Sequence, residues 1–271
     1  GELGIAAAAC QKIQEVNDAV TRFKNGDFEG ALALLKTAVK KHPELPPAEV
    51  IMAQLYASSK RGNQAVASLE AAIKEAPTDP EAYVILGDLD FRAGRVTGAK
   101  LLYVKANDLL AQFKGSSKRK ALLVQRVSAG LVSVAEVQQD WAGAQKHLEA
   151  WLAEDAKNIA ALQRLGRALF QQDKATEALK QFQAAKAVDS EKVMQPEAIL
   201  AGLYEAAGDR DNATKMMVTA LKEDPKGIRT RLAAAQWAFE TEQYDQATEQ
   251  AELALKLEPD SLQAKILAGF E

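Results

Sequence analysis

Apolar residues recur through this chain at helical spacing, and the helical segments come in pairs. The clearest instance runs from Phe28 to Pro43. It places an alanine at 31, a leucine four residues later, a second alanine seven later and a proline twelve later. The same frame returns with its first alanine at 31, 65, 99, 144, 178, 213 and 247, at spacings of 34, 34, 45, 34, 35 and 34 residues. A period in this range is the signature of repeats that bury their apolar faces by stacking on neighbours. Each period predicts two helices. In the third, Asp79-Pro80-Glu81 forms a helix start, Tyr83, Leu86, Gly87 and Phe91 follow at helical spacing, and Ala93-Gly94-Arg95 ends the run. A second helix begins near Thr97 and carries Ala99, Leu102, Tyr103 and Ala106.

Twelve residues before each anchor alanine stand Ala19, Ala53, Gly87, Val132, Gly166, Ala201 and Ala235, and four after it stand Leu35, Leu69, Tyr103, Leu148, Phe182, Met217 and Ala251. Six of the seven on the first helix are alanine or glycine and let the second approach, and the larger residue on the second, absent only at Ala251, fills the space around that contact. Pro43, Pro77, Pro225 and Pro259 close four of the periods, whereas Ala111, Ala156 and Ser190 stand at the equivalent place in the middle three. The long third spacing exceeds 34 residues by 11. Shared between two helices, the excess lengthens each by about 8 Å, at about 1.5 Å per residue. The resulting hairpin should project with a basic tip of Lys114, Lys118, Arg119 and Lys120 as a secondary contact surface. Trp151 occupies a place that is alanine in the other repeats, and it is expected to fill space beside the longer helices.

The pattern resembles the tetratricopeptide repeat. Tyr83, Leu86-Gly87, Ala99 and Tyr103 match that family's frame in one repeat. Leu165-Gly166, Ala178 and Phe182 match in another, and Leu200-Ala201, Tyr204, Gly208, Ala213, Met217, Ala220 and Pro225 in a third. The resemblance implies an all-α fold, a right-handed superhelical solenoid of stacked antiparallel helix pairs. Seven repeats are expected over about 12–45, 46–79, 80–114, 118–158 (with a longer first helix), 159–193, 194–227 and 228–261, with a partial capping helix at 262–271.

The family's first helices line a groove that holds a peptide or a partner helix. Carried onto this sequence, the groove positions include Val16, Val20, Phe23, Val50, Gln54, Val84, Asp88, Phe91, Phe170, Gln236 and Phe239. In the middle repeats Arg126, Arg164 and Arg167 are expected to receive an acidic or C-terminal group, or to pair with acids such as Glu205 or Asp173. The phenylalanines are equally expected to pack on the turn after each helix.

Composition narrows the chemistry. The net charge of -3 predicts no specific nucleic-acid binding, and the sequence has no apolar run long enough to span a membrane. His42 and His147 have no partners at metal or triad spacing; His42 suits a helix end and His147 a solvent-facing position. A single cysteine, Cys10, excludes an internal disulfide and a cysteine pair for zinc. No metal, cofactor or catalysis is expected.

The expectation is a protein-interaction scaffold binding an unidentified protein or peptide. The alternatives are a self-assembling scaffold, suggested by the helix begun at Ser261, and a regulatory or targeting module of a larger protein, suggested by a first residue other than methionine. A cytoplasmic setting is expected, or a bacterial periplasm or envelope if a signal has been removed. Ile5 to Cys10 only faintly resembles the end of such a signal. The alanine-, glutamine- and leucine-rich composition points to a bacterial source.

Overall fold

The computed structural model describes residues 13–269; the segment around Cys10 and residues Phe270 and Glu271 lie outside this range. Every regular element among the described residues is a helix, and they fall into two compact units divided after Asp140. The first unit contains α1 (Gln14–Lys24), α2 (Phe28–Lys41), α3 (Ala48–Ser58), α4 (Gly62–Glu75), α5 (Glu81–Arg92), α6 (Val96–Ala111) and α7 (Ser117–Val137). The second contains α8 (Trp141–Glu154), α9 (Ile159–Phe170), α10 (Ala175–Val188), α11 (Pro196–Ala206), α12 (Arg210–Glu223), α13 (Ile228–Glu240), α14 (Tyr244–Leu257) and α15 (Leu262–Leu267). Within each unit the helices stack as antiparallel pairs: α1 with α2, α3 with α4 and α5 with α6, then α9 with α10, α11 with α12 and α13 with α14.

The repeated alanines are the inner seam of these pairs. Ala31, Ala99, Ala144, Ala178 and Ala213 have no exposed surface, and Ala65 and Ala247 are 5% and 1% exposed. The residues four later are buried in every repeat, as are the small residues twelve earlier. Size is matched within the pair. Where the second helix carries an aromatic ring, the first carries glycine: a Cβ added at Gly87 would lie 2.9 Å from the Tyr103 ring, and one at Gly166 would lie 2.5 Å from the Phe182 ring. Where the second helix carries Leu35, Leu69 or Met217, the first carries Ala19, Ala53 or Ala201. A helical glycine gives up about 0.5–1 kcal/mol relative to alanine, and here it makes room for a whole ring.

The turn inside each repeat is equally regular. Gly26, Lys60, Gly94, Gln139, Asp173, Gly208 and Glu242, each five residues before its anchor alanine, all have positive φ, from 55° to 84°. Only three are glycine, so packing of the helices, more than the local residue, imposes the left-handed turn. Side-chain caps add local support: Asp27, Ser116, Asn158, Asp209 and Ser261 each accept a backbone N–H three residues on.

The extra length is not shared equally. α6 has 16 residues, two more than α2 or α4, whereas α7 has 21 against 11 or 12 in the first helices α1, α3 and α5. Nearly all of the excess therefore extends α7 toward its N-terminus. Trp151 is buried at 5% exposure. His147 is half-buried and already engaged, contrary to the solvent-facing position expected for it. α15 leaves Leu262 and Ile266 exposed. No helix of the described residues is long and apolar enough to cross a membrane.

Candidate interaction site

Several residues expected on an open first-helix groove are core residues instead. Val16, Val50 and Val84 are 2%, 0% and 0% exposed. A first helix is covered both by its own partner and by the next pair, so these valines point inward. Phe23 packs edge-on against Phe28 and Tyr56, with ring centroids 5.1 and 5.0 Å away, and Phe170 packs against Tyr204 at 5.0 Å. They are therefore packing residues. Val20, Gln54 and Phe91 are half-buried, Phe91 resting on the core around Tyr103. Phe239 remains 51% exposed beside Tyr244, and Gln236 donates to Glu240 on its own helix.

The charged candidates divide between the two units. In the first, Arg126 pairs with Asp88, the residue that also accepts the Tyr103 hydroxyl at 2.7 Å. These two predicted groove residues satisfy one another, with Asp88 in place of the acids expected for the arginine. In the second unit Arg164 is half-buried and engaged, and Arg167 is exposed. Burial first, then the neighbouring Asp88 carboxylate, holds the Tyr103 phenol far above its ordinary value of 10.0, so it remains a donor. Tyr103→Phe is expected to cost about 1–2 kcal/mol, because a partly buried hydrogen bond to a carboxylate is lost while the ring still fills the space beside Gly87 and Gly130. Urea denaturation checks this, and an unchanged midpoint would contradict it.

The basic tip also needs correction. Lys114 and Lys118 are exposed and Lys120 is half-buried, but Arg119 is only 5% exposed. Its Nε donates to Glu81 Oε2 at 2.7 Å and its terminal nitrogen to Asp79 Oδ1 at 2.6 Å, while its guanidinium lies 5.1 Å from the centre of the Phe113 ring. Asp79 Oδ1 also accepts the Glu81 backbone N–H at 3.0 Å. The first turn of α7 is thereby fastened to the start of α5.

This fastening forms one wall of a cavity of about 1050 Å³ within the first unit. The connector residues Gln112, Phe113, Lys114 and Gly115 line it together with the ends of α2, α4 and α6 and the start of α3. Val39, Pro43, Leu45, Pro47, Leu109 and Phe113 give it an apolar lining, and Lys40, Lys105, Lys114 and Asp108 add charge. Among the described residues no His, Cys, Asp and Glu side chains converge in threes to hold a metal ion.

Two segments, residues 22–83 and 130–191, match family models described as tetratricopeptide repeat. The chain carries tetratricopeptide repeats in both segments. Its fold is similar to that of the C-terminal part of a tetratricopeptide-repeat protein from Cytophaga hutchinsonii, at 14% identity over 93% of this chain and 98% of that one, with a TM-score of 0.54. PilF of Pseudomonas aeruginosa is similar at 14% identity over 94% and 95% of the two chains, TM-score 0.49. YrrB, described as having an unusual peptide-binding site, is similar at 19% identity over 74% and 98%, TM-score 0.43. No curated protein matches the chain.

Tetratricopeptide-repeat proteins bind protein or peptide partners and are typically non-enzymatic scaffolds. Here the stretch between the two matched segments holds most of α5, all of α6, the connector and most of α7. The cavity is shared between the matched segment 22–83, which supplies the ends of α2 and α4 and the start of α3, and the unmatched stretch, which supplies the end of α6 and the connector. Sequence reasoning located the departure and missed the cavity. One signal for Arg119 was present: it stands four residues before Leu123, in phase with Val127 and Leu131 on the buried face of α7.

Proposed function

We propose that this tetratricopeptide-repeat chain is a non-enzymatic scaffold that captures a peptide segment of a partner protein in the cavity bounded by the α6–α7 connector. The observation that carries this reading is the open cavity of about 1050 Å³, whose apolar lining is bordered by Lys40, Lys105 and Lys114. None of these lysines has an ion-pair partner among the described residues. The first-helix face offers less: Val16, Val50 and Val84 are buried, and Asp88 and Arg126 are mutually paired. A concave site with apolar walls and a few placed charges is the usual form of a binding site.

Photo-crosslinking tests the assignment. A benzophenone amino acid replacing Lys105 or Gln112 should yield partner adducts in the native cell, whereas the same group replacing Arg167 or Gln236 should yield few. Adducts confined to Arg167 and Gln236 would return the site to the first-helix face.

A further inference from the structure

A second, smaller recess of about 320 Å³ lies between α2 and α4. Leu32, Ala67 and Ala71 wall it, and Met52 and Tyr56 of α3 floor it. Glu49 lines both this recess and the larger cavity. At the junction, Lys36 Nζ stands 2.9 Å from Glu49 Oε1 and 2.9 Å from Glu75 Oε2. The two spaces therefore adjoin at Glu49, where two carboxylates share one ammonium.

That arrangement orders the charge along the path. Arg119 faces Asp79 and Glu81, and Lys36 faces Glu49 and Glu75, so each of these two points carries one carboxylate more than it has cations. The remaining charged lining of the larger cavity is the exposed Lys40, Lys105, Lys114 and Asp108, which form its mouth. A ligand carboxylate is repelled at the junction and attracted at the mouth, while the small recess beyond offers mainly apolar atoms. From Leu32 to Lys40 is eight positions along α2, or about 12 Å at about 1.5 Å per residue. An extended chain covers that distance in about three to four residues.

We infer that the occupant is an extended segment of a partner protein carrying two or more carboxylates at the lysine mouth and one aliphatic side chain, three to four residues away, in the recess between α2 and α4. This rests on the cavity being the partner site, and it adds the chemistry and the spacing.

Fluorescence anisotropy with synthetic peptides tests it. The reference peptide is Leu-Ser-Gly-Ser-Glu-Glu, studied also in reversed order; controls replace the leucine by serine, or both glutamates by glutamine or lysine. The better-ordered reference should bind at least ten-fold more tightly than each control. Lys105→Glu with Lys114→Glu should weaken it ten-fold or more. Ala67→Phe, at an exposed position, should fill the small recess and reduce the reference peptide to the level of its serine control without changing the latter; circular dichroism confirms that each variant is folded.

If the leucine and serine peptides bind alike, and both depend on the lysines, the two-recess inference is overturned while the cavity reading stands. Tighter binding of the lysine peptide overturns the charge assignment. Absence of any lysine-dependent binding removes the cavity reading together with the inference.

Discussion

Arg119→Met is expected to destabilise the first unit by about 3–5 kcal/mol, the range for removing one partner from a buried ion pair. The loss comes from what remains behind. Glu81 is 1% exposed, and without the guanidinium its carboxylate is stranded in the core beside Asp79. Burial already holds the Glu81 carboxyl above its ordinary value of 4.5 with Arg119 present, and removing Arg119 raises it further. Above the ordinary value, the folded variant then binds a proton that the unfolded chain has released, so stability falls as pH rises through that window. The deficit of Arg119→Met should therefore be small near pH 4 and grow toward neutrality. Adding Glu81→Gln should remove most of that pH dependence. Urea titrations of the single and double variants at several pH values decide the matter; a deficit independent of pH would show that Glu81 is not the stranded group.

Phe182→Ala should cost a similar amount, about 3–5 kcal/mol, in the second unit, because a ring with no exposed surface leaves a hole between α9 and α10. The sharper test lies in its glycine. Gly166→Ala alone places a Cβ 2.5 Å from the ring, and overpacking of this kind costs about 1–3 kcal/mol despite the better helix propensity of alanine. Combined with Phe182→Leu, the same alanine recreates the pairing already present as Ala19 with Leu35 and Ala53 with Leu69. The double variant should lie within about 1.5 kcal/mol of the parent, since such exchanges preserve volume. Thermal melts of the four proteins form a double-mutant cycle. Strict additivity would mean that size matching between the two helices is coincidental.

The pairing could be read from the sequence because the same physical requirement is written repeatedly. A small residue, then a larger one sixteen positions later, leaves little doubt about which faces meet. Groove exposure was harder to read. Val16, Val50 and Val84 share a register, but whether that register faces solvent depends on the next pair, which periodicity within one helix does not encode. Arg119 was obscured by its neighbours. A run of cations suggests a solvated tip, yet the helix phase running back from Leu123 buries one member of that run and leaves Lys118 outside. The cavity depends on the path of a connector, and composition carries no trace of that path.

The distribution of the left-handed turns has an evolutionary consequence. Lys60, Gln139, Asp173 and Glu242 adopt the conformation of Gly26, Gly94 and Gly208 at an identical distance from the following alanine. The interval within a helix pair is thus a fixed length in this chain, while the interval between pairs varies. The 11 added residues entered at the free joint, between α6 and α7. New surface at such joints is the kind a repeat array can acquire, lose or exchange without redesigning its core, so divergence among relatives of this chain should concentrate in connectors like the one that carries Phe113 and Lys114.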